Sequence, residues 1–267
     1  MGGKLRVDEF DMRVVNFLTG WGRNARNRAE ATLFVIASLP RSGTHMLSSL
    51  LDGHPQIRTE AEIFNPYSER NRRHRGRSAE WVLSNKAWYD GPQRIRGVPI
   101  HLNHDDRWRV WQFLRGVSGV RYLCMRRRNV LAQFVSHEQA MVHGRWQVWR
   151  DQRRPEVVEL VIDPRRLEHF AARMEACWEQ FDCEFTVHKR MPVWYEDLCE
   201  HTEAASIEIQ RFLGASPIGG LRPGTIKVGR PLAEVVSNYD QLVRYFRGSK
   251  YESCFESARP NQLRRAA

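Results

Sequence analysis

The sequence predicts an α/β protein with three layers, a mostly parallel central sheet flanked by helices. Three observations carry that expectation. Residues 33–37 (LFVIA) form an apolar run, followed by a turn with Pro40 and Gly43 and an apolar helical pattern from Met46 through Leu50, which is the order of strand, tight loop and helix. The unit recurs at 120–125 (VRYLCM), a second apolar strand that runs into RRRNVLAQFVSHEQA, where Asn129 suits a helix N-cap and Val130, Leu131, Phe134 and Val135 suit its buried face. Between them IRGVPIHLNH, from Ile95, reads as a further strand ending in His101 and His104. In such open sheets ligands sit at the carboxyl ends of the strands, so the site is expected there.

The remaining elements follow in order. At 267 residues and 42% apolar, with no linker-like tract, the chain is expected to form one domain over 1–267. Its core would lie at about 33–250, behind an N-terminal helix at 8–21 and with a basic insertion at about 65–95. In the first helix Phe10, Val14, Phe17, Leu18 and Trp21 recur at helical spacing and suit packing; Arg13, Arg23, Arg26 and Arg28 beside them give peripheral membrane contact as the alternative. Residues 164–181 predict a helix with Asp163 as cap and Pro164 at the first position, burying Leu167, Phe170, Ala171, Met174, Trp178 and Phe181. Leu232, Val235, Val236, Tyr239, Leu242, Val243 and Phe246 predict one last helix stopping near Gly248.

Composition narrows the function classes. No apolar run reaches membrane-span length, the N-terminus has no signal-peptide core, and MGGKLR lacks the Ser or Thr of a myristoylation signal, so a cytoplasmic protein is expected. Five cysteines without a CxxC pair suit reduced thiols, and no metal is expected. The net charge of +11 calls for an anionic partner: nucleic acid, anionic lipid or a polyanionic cofactor. Residues 70–77 (RNRRHRGR) hold five arginines and read as a solvated loop, a lid or a subsite for a phosphorylated or sulfated group. No RNA- or DNA-binding motif accompanies them, so nucleic acid is not the expected partner.

The first strand-loop-helix junction has the chemistry of a phosphate site. Backbone N–H groups in a helix's first turn lack intrahelical partners and, with the helix dipole, attract an anion; Arg41, Ser42, Gly43, Thr44 and His45 surround that point with further donors. It is not a Walker A loop, because Ser38 stands at the first Gly of that motif and Thr44 at its Lys.

PRSGTHML resembles the 5′-phosphosulfate loop of sulfotransferases, enzymes that use 3′-phosphoadenosine 5′-phosphosulfate (PAPS), matching P-[KR]-S-G-[ST]-x-x-L at Pro40, Arg41, Ser42, Gly43, Thr44 and Leu47. The resemblance implies the P-loop NTPase-like sulfotransferase fold, PAPS as donor and adenosine 3′,5′-bisphosphate as product. Family members bind the 3′-phosphate with an Arg at the end of a later strand and a Ser eight or nine residues on. Here Arg128 and Arg127 stand at those spacings from Ser136, which lies roughly 10 Å up its helix from Asn129, and Arg126 is a third candidate. Two such motifs in the right order are far more specific than either alone.

The catalytic base is read from the same resemblance. DGHPQIRTEAEIFNPY is similar to a segment of sulfotransferases that modify bacterial carbohydrates and glycolipids, in which an acidic residue followed by Phe lies near the transferring group. Glu62 is the first candidate and Glu60 the second, since a hydroxyl acceptor needs a positioned carboxylate to take its proton. His101 is the runner-up, because some sulfotransferases use a His from a loop of this kind; where relatives carry a Lys this chain has Pro99. MPVWYEDL resembles the family's late strand, with Glu196 and Asp197 read as capping the next helix or holding an Arg near the cofactor. TIKVGR resembles the C-terminal loop that brings basic residues over the cofactor, which implicates Lys227 and Arg230.

The implied reaction is sulfuryl transfer from PAPS to a hydroxyl-bearing acceptor of carbohydrate or glycolipid type, without a metal. A nucleotide-dependent kinase of related fold, lacking here a Walker Lys, and a non-catalytic nucleic-acid or anionic-membrane binder are the alternatives.

Overall fold

A computed structural model describes residues 31–67, 77–84, 92–104, 109–225 and 230–256. The expected N-terminal helix 8–21, most of the arginine-rich stretch 70–77 and Lys227 lie outside the described residues. The sheet is wholly parallel. Its strands are β1 (Thr32–Ser38), β2 (Ile57–Thr59), β3 (Ile95–His101), β4 (Arg121–Arg126) and β5 (Lys189–Trp194), in the order β2-β3-β1-β4-β5.

Alternation along β1 sorts its side chains onto two faces. Val35 and Ala37 meet Val98, Ile100, Tyr122 and Cys124 in one core, and Phe34 and Ile36 meet Leu123, Met125 and Val193 in the other. The first core is covered by α2 (Ala79–Ser84), α3 (Val110–Arg115) and the end of α5 (Pro164–Glu184). The second is covered by α1 (Thr44–Leu51), α6 (Tyr195–Glu200) and α7 (Thr202–Leu213). The expected three layers are therefore present. β1 is the middle strand and its core residues are fully buried, so the loop that leaves its carboxyl end starts from a rigid base.

Two sequence peculiarities of β3 have packing reasons. A Cβ on Gly97 would lie 2.0 Å from the Phe34 ring, so only glycine lets that ring cross the sheet. Pro99 donates no ladder hydrogen bond, and it sits where β2 has already ended opposite Gly97, on a stretch paired to β1 alone.

The expected caps form. Asn129 accepts from the Ala132 amide at the start of α4 (Val130–His143), Asp163 accepts from the Arg165 amide, and Gly214 closes α7 with φ +78°. The last helix departs from expectation. It splits into α8 (Leu232–Val235) and α9 (Tyr239–Tyr245), followed by α10 (Ser253–Glu256), with Val236 extended between the first two. The reason is a competing partner: Leu160 pairs with Val236, and the Asn238 side chain accepts from the Ile162 amide and donates to its carbonyl. The helical spacing survives because both pieces bury the same side, against Leu131, Phe134 and Leu167.

Candidate active site

The first junction is built for an anion. Arg41 and Gly43 both have positive φ, 64° and 101°, and the turn between them delivers the chain into α1 with Gly43 at the N-cap and no side chain capping the helix. Gly43 is required twice. Its φ is in the region that side chains avoid, and a Cβ there would lie 2.5 Å from Tyr195 and 2.6 Å from Met125. Ser42 turns inward, its hydroxyl donating to the Leu39 carbonyl at 2.8 Å, so it shapes the turn. The Thr44 hydroxyl is buried and without a hydrogen-bond partner among the described residues.

The three consecutive arginines after β4 separate by partner. Arg126 grips Asp182 at 2.7 and 2.8 Å and lies over Trp178. Arg128 grips Asp197 at 2.5 and 2.7 Å and lies over Trp194. Arg127 instead points to the first junction, donating to the Arg41 carbonyl at 3.1 Å and lying over Tyr195, with its Nε buried and unpartnered among the described residues. Burial lowers its pKa. Asp197 holds Arg128, as the sequence suggests, but Glu196 accepts from the Arg128 and Asn129 amides and so closes the start of the earlier helix α4, while α6 and α7 have no side-chain cap among the described residues. Ser136 joins the two motifs directly, accepting from Arg41 Nε at 2.9 Å. Arg41 also donates to the Trp146 carbonyl, and burial followed by the nearby charge of Arg127 pushes its pKa down to about 10.

Glu62 and His101, rivals in sequence, are partners in space. His101 Nε2 lies 2.9 Å from Glu62 Oε1, His45 Nε2 lies 3.4 Å from the same oxygen, and the Asn65 amide donates to Oε2 at 2.8 Å. Burial alone would raise the Glu62 pKa, but His101, His45 and Asn65 together outweigh it and hold the carboxyl at about 2. His104 stacks on His101 with centroids 4.6 Å apart, and burial, then the His101 charge, brings its pKa down to about 4. Burial likewise lowers that of His45. Glu60 points away from this group, toward Arg58 at 3.1 Å.

One open cleft of about 2140 Å³ is lined by Arg41, Gly43, Thr44, His45, Glu62, His101, Arg127, Arg128, Ser136 and Arg230. It also takes residues that the sequence reading passed over. Tyr195 forms part of its floor, and the segment 144–157 crosses its rim with Trp146 and Trp149. That segment is tied down by a Trp149–Thr225 bridge and by Arg150 Nε donating to the Pro223 carbonyl at 2.7 Å. Two tryptophans among arginines in GRWQVWRDQRR were the available signal, but the stretch has no helical or strand period to place it.

The donor set suits a polyanionic nucleotide. Thr44 Oγ1 and Arg127 Nε are buried donors lacking acceptors among the described residues, and two cationic side chains, Arg41 and Arg127, converge beside a helix start that no side chain caps.

No family model matches the chain. It is 28% identical over 238 residues to Nodulation protein H of Rhizobium tropici, covering 84% of this chain and 92% of that protein. Nodulation protein H of Rhizobium meliloti (strain 1021) is 22% identical over 235 residues, covering 84% and 95%. A sulfotransferase from Alicyclobacillus acidocaldarius superposes with a TM-score of 0.50 at 13% identity, over 85% of this chain and 94% of that one. With a sheet whose five strands among the described residues are all parallel, a phosphate-type loop leaving its central strand and this structural match, the chain has the sulfotransferase fold that its motifs resemble.

Proposed function

We propose that the protein transfers the sulfuryl group of PAPS to a hydroxyl of an acceptor, a carbohydrate or glycolipid, releasing adenosine 3′,5′-bisphosphate. The observation that carries this reading is the adjacency of anion site and base: His45, in the first turn of α1, touches the Glu62 carboxylate at 3.4 Å. The free amides of that turn, with Arg41 and Thr44, hold the 5′-phosphosulfate, and Arg127 with Ser136 holds the 3′-phosphate. Arg230 on the rim supplies a further cation over the nucleotide.

Glu62 is ionised throughout the neutral range and orients the acceptor hydroxyl. As the acceptor oxygen bonds to sulfur and the S–O bond to phosphate breaks, the hydroxyl proton passes to Glu62, and His101 and His45 share it through the common Oε1. A carboxylate held at about 2 is a weak base on its own, so the shared site matters. The proton becomes strongly acidic only once the S–O bond forms, which suits a weak base acting late. Arg41 and the loop amides stabilise charge growing on the bridging phosphate oxygen, so the chain's own cations do the work of neutralising the leaving group. Trp146 and Trp149 support the carbohydrate reading, since flat apolar faces at a polar rim suit the C–H faces of sugar rings.

The test is incubation with ³⁵S-labelled PAPS and fractionated cell extract. Labelled product is expected with the wild type, falling on the order of 10²-fold with Glu62→Gln while nucleotide affinity stays within a few-fold. Absence of transfer together with Mg²⁺-dependent ATP hydrolysis would replace this reading with the kinase one.

A further inference from the structure

Beside the main cleft lies a second cavity of about 420 Å³, which shares Pro40, Asn103, His137 and Arg173 with it as common walls. It is a side chamber. Its floor is apolar, from Phe134, Phe170 and Met174, and its rim is cationic. Arg165, His169 and Arg173 recur every fourth residue on α5 and so share one face of the helix; Arg166 flanks them.

Arg165, Arg166, His169 and Arg173 are exposed at its mouth, and few carboxylates among the described residues face them. The carboxylates of α5 at Glu168 and Glu175 engage Tyr245 and Lys250, away from the chamber. The lining carboxylate is Glu138, which is committed to Arg166 at 3.0 Å and lies 3.6 Å from His137. Arg165 and Arg173 make no ion pair among the described residues. A cavity with an apolar floor and, at its edge, two guanidinium groups that make no ion pair among the described residues matches a ring or acyl body that carries a carboxylate, sulfate or phosphate.

Its position says whose body that is. Asn103 stands two residues beyond His101 and Pro40 directly before Arg41, so the shared wall is made by the same two loops that carry the proposed base and the phosphate site. We propose that the chamber under α5 is an acceptor subsite selecting an anionic acceptor, its negative group held by Arg165 and Arg173 while its hydroxyl lies at Glu62. This rests on the sulfotransferase reading for the meaning of "acceptor", but the binding preference does not depend on catalysis.

The test compares 4-nitrophenyl β-D-glucuronide with 4-nitrophenyl β-D-glucoside, which differ by a carboxylate. Binding of each is measured by ligand-observed NMR, with and without adenosine 3′,5′-bisphosphate, in the wild type and in Arg165→Gln/Arg173→Gln. The wild type should favour the glucuronide by roughly tenfold or more, and the double variant should lose that preference while its melting temperature and nucleotide affinity hold. Equal affinity for the two glycosides, no binding of either, or a preference that survives in the variant would each overturn the subsite. A glucuronide preference without nucleotide binding would keep the subsite and sink the PAPS reading, so the two failures are distinct.

Discussion

The two strand-loop-helix junctions of this protein start from the same local pattern and reach opposite solutions at the helix start. At α1 the N-cap is a glycine, no side chain caps the helix, and the first-turn amides face the cleft. At α4 side chains already engage the helix start: Asn129 accepts from the first-turn amide of Ala132, and Glu196 accepts from the amides of Arg128 and Asn129 just before the helix. The first junction therefore offers an anion its backbone, and the second, with a carboxylate already at its helix start, offers side chains, Arg127 and Ser136. What separates them is a carboxylate some seventy residues away in the chain. A supersecondary unit is thus a binding site or a structural joint depending on what fills its helix terminus.

The largest expected effect comes from spoiling the backbone site. Gly43→Val places a Cβ against Tyr195 and Met125 at a positive φ, so calorimetric titration should show nucleotide affinity lost together with a lower melting temperature. Asn129→Ala at the other junction should cost ~1 kcal/mol of stability and leave affinity within a few-fold. Normal nucleotide binding in Gly43→Val would mean that the first junction does not hold the phosphate.

A smaller effect separates the arginines. Arg127→Ala removes a charged donor with no carboxylate partner among the described residues and should weaken adenosine 3′,5′-bisphosphate by roughly 10- to 100-fold, the worth of one hydrogen bond to a charged group. Its affinity for adenosine 5′-phosphosulfate should barely move. Arg128→Ala, which loses an exposed pair with Asp197, should change neither by more than a few-fold. Equal losses for both nucleotides in Arg127→Ala would misplace the 3′-phosphate.

That division was only half legible. The strands, the caps at Asn129 and Asp163 and the paired motifs follow from runs and spacings of a few residues, which is the range over which sequence pattern reports structure. Arg126, Arg127 and Arg128 could not be told apart, because their sorting depends on Asp182 and Asp197, more than fifty residues distant. Glu62 and His101 were found separately and not as a pair, since their contact depends on β2 and β3 lying side by side. The break at Val236 was invisible for a related reason: the residue that competes for it, Leu160, lies in an irregular segment with no period of its own.

The junctions also differ in what titrates beside them. Arginines flank the second, whereas the first is tied through His45 and Glu62 to His104. The His104 pKa of about 4 in the fold lies below its ordinary 6.5, so the unfolded chain binds more protons between those values, and stability is lost as pH falls through that window. The depressed Glu62 works in the same direction from about 4.5 down toward 2. Melting curves from neutral pH down should therefore show declining stability, at up to ~1.4 kcal/mol per pH unit for each group. His104→Asn should flatten the upper part of the decline; an unchanged slope would detach it from the histidine.

The central claim, that both junctions hold one nucleotide, is tested most directly by melting the protein with adenosine 3′,5′-bisphosphate and with adenosine 5′-monophosphate. Ligand that binds the native state alone adds RT ln(1 + [L]/Kd), about 2.7 kcal/mol at a hundredfold excess over Kd. The bisphosphate should raise the melting temperature well beyond the monophosphate, and Arg127→Ala should erase most of the difference. A melting temperature that stays flat up to millimolar bisphosphate would contradict the account.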